Sequence, residues 1–251
     1  MATLFIGQNK VFLPETESTN SYAIALLKNV NAIDGTVVYT HHQTQGKGQR
    51  GNSWIAEPQR NTTLSLIVKP TFLNAKKSFY LSKITALSLH DVLTEFLGFG
   101  QFDIKIKWPN DMLVNSKKIA GVLIENSLQN DLVSWSVVGI GLNVNQNTFG
   151  TLDTATSLIL LSGRTFDLEA VSESLFSHFE KWYLRLKKGE FTSINEAYHK
   201  QLFRFDQTAT FEQNGKRFNG KIKEVNEGGL LIVESEQGVN SYDLKEIRII
   251  Y

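Results

Sequence analysis

KIKWPNDMLVNSKKIAGVLIE, residues 105–125, carries the decision about the fold. Its first residues alternate, so FDIKIKW (102–108) reads as a strand with Lys105 and Lys107 on one face. Pro109 breaks that strand beside Trp108, and Asn110-Asp111 turns the chain. MLVNSKKIAGVLIE then reads as a hairpin turning at Asn115-Ser116. The return brings Lys118 to within about 10 Å of Asp111, three or fewer strand steps of about 3.3 Å each. Two lysines, an amide, a carboxylate and a third lysine thus converge at one end of a sheet. The bland alternative is a solvated strand end with ordinary surface charges, and Lys117 is read that way.

Downstream, VSWSVVGIGLNVN (133–145) returns as a further strand. Pairing about a turn centred on Asn130 would place Gly121 and Gly139 opposite each other. Glycine weakens a strand and marks close approach by a ligand or another backbone. Two facing glycines would form a smooth patch for a flat ligand. A bulge or tight packing accounts for either glycine alone.

Upstream lies HHQTQGKGQRGNSW (41–54), with a G-x-G-x-x-G at Gly46, Gly48 and Gly51. A dinucleotide fingerprint needs a helix to open at the last glycine. Here Trp54, Pro58 and another apolar strand follow, so that reading fails. No G-K-[ST] closes the loop, which excludes a Walker phosphate loop. What remains is a link of about 18 residues between two strands, long enough for a lid or binding loop. Its glycines expose backbone N–H groups, and Lys47 and Arg50 add positive charge, which suits a phosphate or carboxylate. A mobile solvated hairpin is the alternative.

The strands flanking this loop are GTVVYTHH and NTTLSLIVKP (61–70). Apolar residues at 22, 26, 27 and 30 define a helix capped near Ser18 or Thr19. A helical pattern over 78–97 stops at Gly98, one from Leu168 to Leu186 ends near Gly189, and a shorter helix is predicted over 193–203. After Phe205, Asn214-Gly215, Gly228-Gly229 and Gly238 separate short alternating runs. They predict a small β module of about four or five strands, a barrel, with the boundary near 204. Residues 1–203 mix antiparallel strands with helices, an α+β pattern.

A net charge of +1 offers no global field to nucleic acid or membrane, so an anion site must be built locally. The absence of cysteine excludes disulfides and thiol nucleophiles. The five histidines show no H-x-x-x-H spacing. No stretch approaches the roughly 20 apolar residues that span a bilayer, and the N-terminus lacks a signal-peptide pattern. The expected location is the cytoplasm, without membrane contact.

The sequence resembles the biotin–protein ligases. The resemblance rests on TESTN (16–20), GKGQRGNSW (46–54), KWPNDMLVNSKKIAGVLIE (107–125) and GIGLNVN (139–145), in the family's order. It implies a core like that of class II aminoacyl-tRNA synthetases, with a mixed sheet and helices, and a C-terminal SH3-like barrel over 204–251. It implies ATP, Mg²⁺ and biotin, joined as biotinyl-5′-AMP, and transfer to a lysine of a biotin carboxyl carrier protein. TESTN begins at residue 16, which suggests the short form without the helix-turn-helix, hence no DNA partner. A homodimer is allowed for.

By resemblance, Ser18, Thr19, Asn20 and Gln43 bind the biotin ureido ring. Gly46, Lys47, Gly48, Gln49 and Arg50 form the closing loop, with Arg50 also on the adenylate. Lys118 contacts the biotin carboxylate, and Gly121 and Gly139 floor the pocket. Lys107, Asn110 and Asn143 lie towards ATP and its magnesium, whose protein ligands are not assigned. Asp111 either orients the incoming lysine or helps hold the metal. Catalysis falls to Lys118, Arg50 and Asp111, while Trp54 is read as packing under the loop. The family loop usually carries arginines where Lys47 and Gln49 stand here. A lipoate or octanoate ligase is the runner-up, but its R-x-x-G-G-G pattern is missing. A non-enzymatic biotin sensor would not need Lys118, Arg50 and Asp111 together.

Overall fold

The computed structural model describes residues 3–29, 32–150, 152–244 and 246–251, without the side chain of Arg50. Val30, read above as part of a helix face, lies outside the described residues.

Seven strands build the larger sheet: β1 (Lys10–Leu13), β2 (Thr36–Thr40), β3 (Thr62–Val68), β4 (Ile104–Lys107), β5 (Asp111–Val114), β6 (Lys117–Gln129) and β7 (Leu132–Leu142). Their spatial order is β1-β2-β3-β7-β6-β5-β4. β1 runs parallel to β2 and every other neighbour is antiparallel. Five helices accompany it: α1 (Thr19–Asn29), α2 (Phe79–Leu97), α3 (Leu158–Ser162), α4 (Leu168–Lys187) and α5 (Phe191–Gln201). The mixed α+β class and the predicted hairpin at Asn115-Ser116, both residues at positive φ, are present.

Every residue of β3 is buried, because helices cover both faces of the sheet there. Ile67 joins Ala23, Val38 and Val137 under α1. Leu64, Leu66 and Val68, facing the other way, join the main core with α2 and α4. α4 presents Val171, Leu175, Phe179, Trp182 and Leu186 as one buried stripe. α2 ends at Gly98, whose φ of +89 and N–H bond to Thr94 supply the stop. On α4, Glu180 gathers the start of the chain. Its carboxylate accepts the backbone N–H groups of Leu4 at 2.7 Å, Phe5 at 2.8 Å and Ile6 at 3.0 Å.

The C-terminal strands β8 (Thr208–Gln213), β9 (Lys216–Val225), β10 (Leu231–Ser235), β11 (Gly238–Tyr242) and β12 (Arg248–Ile250) form an antiparallel sheet ordered β11-β10-β9-β8-β12. The strand number matches the sequence reading. The ladders, however, do not close into a barrel, because β11 and β12 stand at opposite edges.

One register differs from expectation. Gly121 faces Gly141, and Gly139 faces Leu123. The turn between β6 and β7 is the two-residue Asn130-Asp131, and a bulge at Ser127/Leu128 adds one more step.

Replacing Glu180 with Gln leaves three backbone donors sharing one amide oxygen. Since hydrogen bonds to a charged acceptor contribute about 1.5–3 kcal/mol, we expect a loss of about 2 kcal/mol in urea unfolding. An unchanged unfolding midpoint would show that the carboxylate is dispensable.

Candidate active site

On the α1 face of the large sheet lies a cavity of about 350 Å³. Among the described residues, it is lined by Ser18, Thr19, Asn20, Gln43, Lys47, Gly48, Gln49, Lys107, Asn110, Asp111, Lys118, Gly121 and Gly139 of the sequence-predicted set. One end is lined by the uncharged polar side chains of Ser18, Thr19, Asn20 and Gln43. Gln43 Oε1 accepts the Thr19 N–H at 2.9 Å and so fixes the start of α1. Asn20 Nδ2 donates to Glu125 Oε2 at 2.9 Å and to the Leu123 carbonyl at 3.2 Å. Its Oδ1 lies 2.6 Å from Ser65 Oγ on β3.

The floor comes from the strand glycines, though not as expected. Gly121, Gly139 and Gly141 share one face of the sheet, and side chains occupy the space they leave. A Cβ at Gly139 would overlap Asn20 Oδ1, and one at Gly141 would overlap the indole of Trp54. At Gly121 it would come 3.2 Å from the same indole. The glycines therefore admit Asn20 and Trp54, and these side chains form much of the surface above the sheet. Trp54 itself lines the cavity, packed on Gly121 and Gly141, and its buried Nε1 has no hydrogen-bond partner among the described residues.

The glycine loop is a small hairpin. Gly48 N–H donates to Asn52 at 2.7 Å, Trp54 N–H to Gly46 at 2.8 Å, and Gln49–Gly51 makes a 3₁₀ turn. Lys47 Nζ reaches Ser21 Oγ on α1 at 2.8 Å. Gly46 sits behind the lining, where a side chain would strike Gln43 and the Trp54 backbone. The side chain of Arg50 lies outside the described residues.

The opposite end is charged. Lys118 Nζ pairs with Asp111 Oδ1 at 2.6 Å, much closer than the strand geometry required. Lys118 Nζ also stands 5.7 Å from the Trp54 ring centre. Asn110 ties its turn to β6, Nδ2 donating to the Val122 carbonyl at 2.7 Å. Lys107 donates to the Tyr251 hydroxyl at 3.0 Å. Lys105 is not brought in; it lies 3.7 Å from Asp103, away from the cavity. Asn143 is also absent from the lining. It is buried, with Nδ2 on the Thr156 carbonyl and Oδ1 without a partner among the described residues. The C-terminal sheet adds Leu231, Arg248 and Ile249, which the sequence reading did not assign.

Such a cavity can hold an uncharged polar ring at one end and an anion at the other, where the lysine–carboxylate pair stands. Comparison with known proteins agrees. Residues 12–143 match the biotin/lipoate A/B protein ligase family. The chain belongs to that family. It is 30% identical over 253 residues to the bifunctional ligase/repressor BirA of Bacillus subtilis, covering 99% of this chain and 76% of that one. Similarity to the biotin--[acetyl-CoA-carboxylase] ligase of Paracoccus denitrificans is 29% over 231 residues, covering 90% and 94%. Among solved structures, biotin protein ligase from Aquifex aeolicus in complex with biotin and ATP superposes with a TM-score of 0.79 at 25% identity, covering 97% and 99%.

Gly141→Ala should therefore disturb the site more than Gly121→Ala. Overpacking costs about 1–3 kcal/mol, so the first should weaken ligand binding measurably and blue-shift or red-shift the Trp54 emission. Calorimetry with biotin and fluorescence would check this. Equal behaviour of the two variants would refute the role given to the indole.

Proposed function

We propose that the chain is a biotin–protein ligase, which uses ATP to attach biotin to a lysine of a biotin carboxyl carrier protein through biotinyl-5′-AMP. The observation that carries this reading is the cavity's division into an end of uncharged polar side chains and a charged end that holds Lys118 and Asp111. Relatives named as biotin ligases, and a 25% identical structure holding biotin and ATP, support it.

In the first step a biotin carboxylate oxygen attacks the α-phosphorus of ATP and pyrophosphate leaves. Ser18, Thr19, Asn20 and Gln43 hold the ureido ring through short polar side chains. Lys118 stabilises the carboxylate and then the carbonyl of the mixed anhydride. Lys47, Gly48 and Gln49 close over the adenylate, with Arg50 assigned to the same loop. Lys107 and Asn110 face the nucleotide. Asn143, being outside the lining, is better read as supporting the strand end beside Lys118. In the second step the carrier lysine's neutral amine attacks the anhydride carbonyl and AMP leaves. Asp111 either orients that lysine or helps hold a metal, and its ion pair with Lys118 supports the first role.

Among the described residues no group of three or more acidic or histidine side chains forms a metal cage. This donor set fits a magnesium ion carried mainly by the nucleotide phosphates, with Asp111 as the one nearby carboxylate. Magnesium there would neutralise phosphate charge.

No helix is long and apolar enough to cross a membrane among the described residues. The acceptor is the carrier domain of a biotin-dependent carboxylase, and the +1 net charge gives no support to a DNA partner. β1, an edge of the large sheet, offers a backbone ladder to a second copy or to the carrier. We divide the chain at 203/204 into a catalytic unit and a C-terminal β unit that supplies one wall of the cavity.

ATP–pyrophosphate exchange with Mg²⁺ should depend on biotin and not on octanoate. Exchange with octanoate instead would favour the lipoate-type reading, and none with biotin would overturn adenylation. Lys118→Ala should lower the exchange rate on the order of a hundredfold or more. A retained rate would remove Lys118 from the chemistry. Finally, Gln49→Arg should slow release of biotinyl-AMP, because arginine adds a charged bidentate donor. Equal release from both proteins would show that Gln49 does not govern retention.

A further inference from the structure

Outside the cavity lining, between α2, α5 and β9, the structure buries a cation that the mechanism does not use. Lys83, on α2, has no solvent exposure. Its Nζ donates to Asn195 Oδ1 on α5 at 2.5 Å and to the carbonyl of Val225, the last residue of β9, at 2.7 Å. The rings of Tyr80 and Tyr198 stand 5.0 and 5.4 Å away. Both hydrogen-bond partners are neutral, and burial lowers the lysine pKa to about 8. An ammonium placed there is costly, so apolar packing alone does not explain it.

The other backbone group of Val225 is held as well. Its N–H donates to His199 Nε2 at 2.8 Å. Burial, then the charge of Lys83, lowers that imidazole to about 4, which keeps it a neutral acceptor. Beyond Val225 the chain makes a tight turn, with Asn226 N–H on the Leu230 carbonyl at 3.0 Å. Gly229 in this turn has φ +92, and a Cβ there would come 2.5 Å from the Phe79 ring. The turn is thus pressed against α2. The Gly229 carbonyl accepts the indole N–H of Trp108 at 2.9 Å. Trp108 sits between Lys107 and the turn that carries Asn110 and Asp111 in the cavity wall.

We propose that Lys83 is a positioning residue: by holding Val225 it sets the 226–230 turn, and through Gly229 and Trp108 it sets the Lys107–Asp111 segment for the nucleotide. This inference rests on the ligase reading for the nucleotide. Its structural half, the link from Lys83 to Trp108, stands apart from that reading.

The test compares wild type with Lys83→Met, which keeps the length of the side chain and removes the ammonium. Nitrogen-15 NMR of the indole N–H groups, assigned with Trp108→Phe, reads the link directly. Exchange kinetics give separate KM values for ATP and biotin. Lys83→Met should move the Trp108 indole resonance and lower kcat/KM for ATP on the order of ten- to a hundredfold, leaving the biotin KM unchanged. The Lys83→Met/Trp108→Phe double variant should lose no more kcat/KM for ATP than the worse of its two single variants. An unmoved indole resonance, or equal losses for ATP and biotin, would overturn the proposal. Should Lys83→Met fail to fold, Asn195→Ala, which removes one acceptor, takes its place with the same expected shifts. If wild type shows no biotin-dependent exchange, the ligase reading falls, while the indole shift still decides the link.

Discussion

The site depends on the ladder between β6 and β7. Gly139 is registered twice, against Ser65 of β3 and Leu123 of β6, and Gly141 against Thr63 and Gly121. A slip of one residue would turn every side chain of a strand to the opposite face. It would withdraw the glycine face from α1 and place the apolar residues that alternate with it against Asn20 and Trp54. Ser65, Asn20 and Glu125 meet above Gly139 only in this register, so the polar end of the cavity follows from the ladder. The bulge at Ser127/Leu128 lies beyond the glycines, near the turn, where it resets the register without breaking the central pairs.

The charged end has a different support. β4 and β5 lie at the edge of the sheet, and the turn joining them would project freely if nothing gripped it. It is gripped from two sides. Asn110 exchanges hydrogen bonds with Val122, Nδ2 to the carbonyl at 2.7 Å and Val122 N–H to the Asn110 carbonyl at 3.0 Å. Trp108 reaches the C-terminal sheet, and Phe203 N–H caps the Ile106 carbonyl at 2.7 Å. The cationic wall is therefore built where the two sheets meet, and Arg248 joins it from β12.

How legible this was depends on the sequence range of each contact. The hairpin at Asn115-Ser116, the caps of α1 and α2, the stripe of α4 and the convergence of Lys107, Asn110, Asp111 and Lys118 are local, and residue pattern carries them. Gly141 was passed over because the bulge at Ser127/Leu128 leaves no sequence mark: SLQNDL reads equally well with a turn one residue earlier. Trp54 was underread because its partners, Gly121 and Gly141, are far along the chain. A large indole following a glycine loop, with small residues on later strands, was the available signal. Asn143 stands beside cavity-forming strands and yet points to Thr156, which only the path of residues 154–157 past Lys118 reveals. Nothing in RIIY marked Arg248 as part of a wall shared with residues more than a hundred positions earlier.

Charge arrangement then links fold to chemistry. Among the described residues, Lys47, Lys107, Lys118 and Arg248 line the cavity, with Asp111 as the lone carboxylate. Against a net charge of +1, this is a local concentration of positive charge. Asp111 neutralises part of it by pairing with Lys118, whose side chain is more exposed than its own, 38% against 18%. A pair so placed is weak in net terms, about 0–1 kcal/mol, because water screens it. Breaking such a pair therefore leaves the Lys118 ammonium open to another anion at little cost. On the ligase reading proposed above, the same weak ion pair meets a carboxylate first and a neutral amine second, the order in which an adenylating ligase receives them.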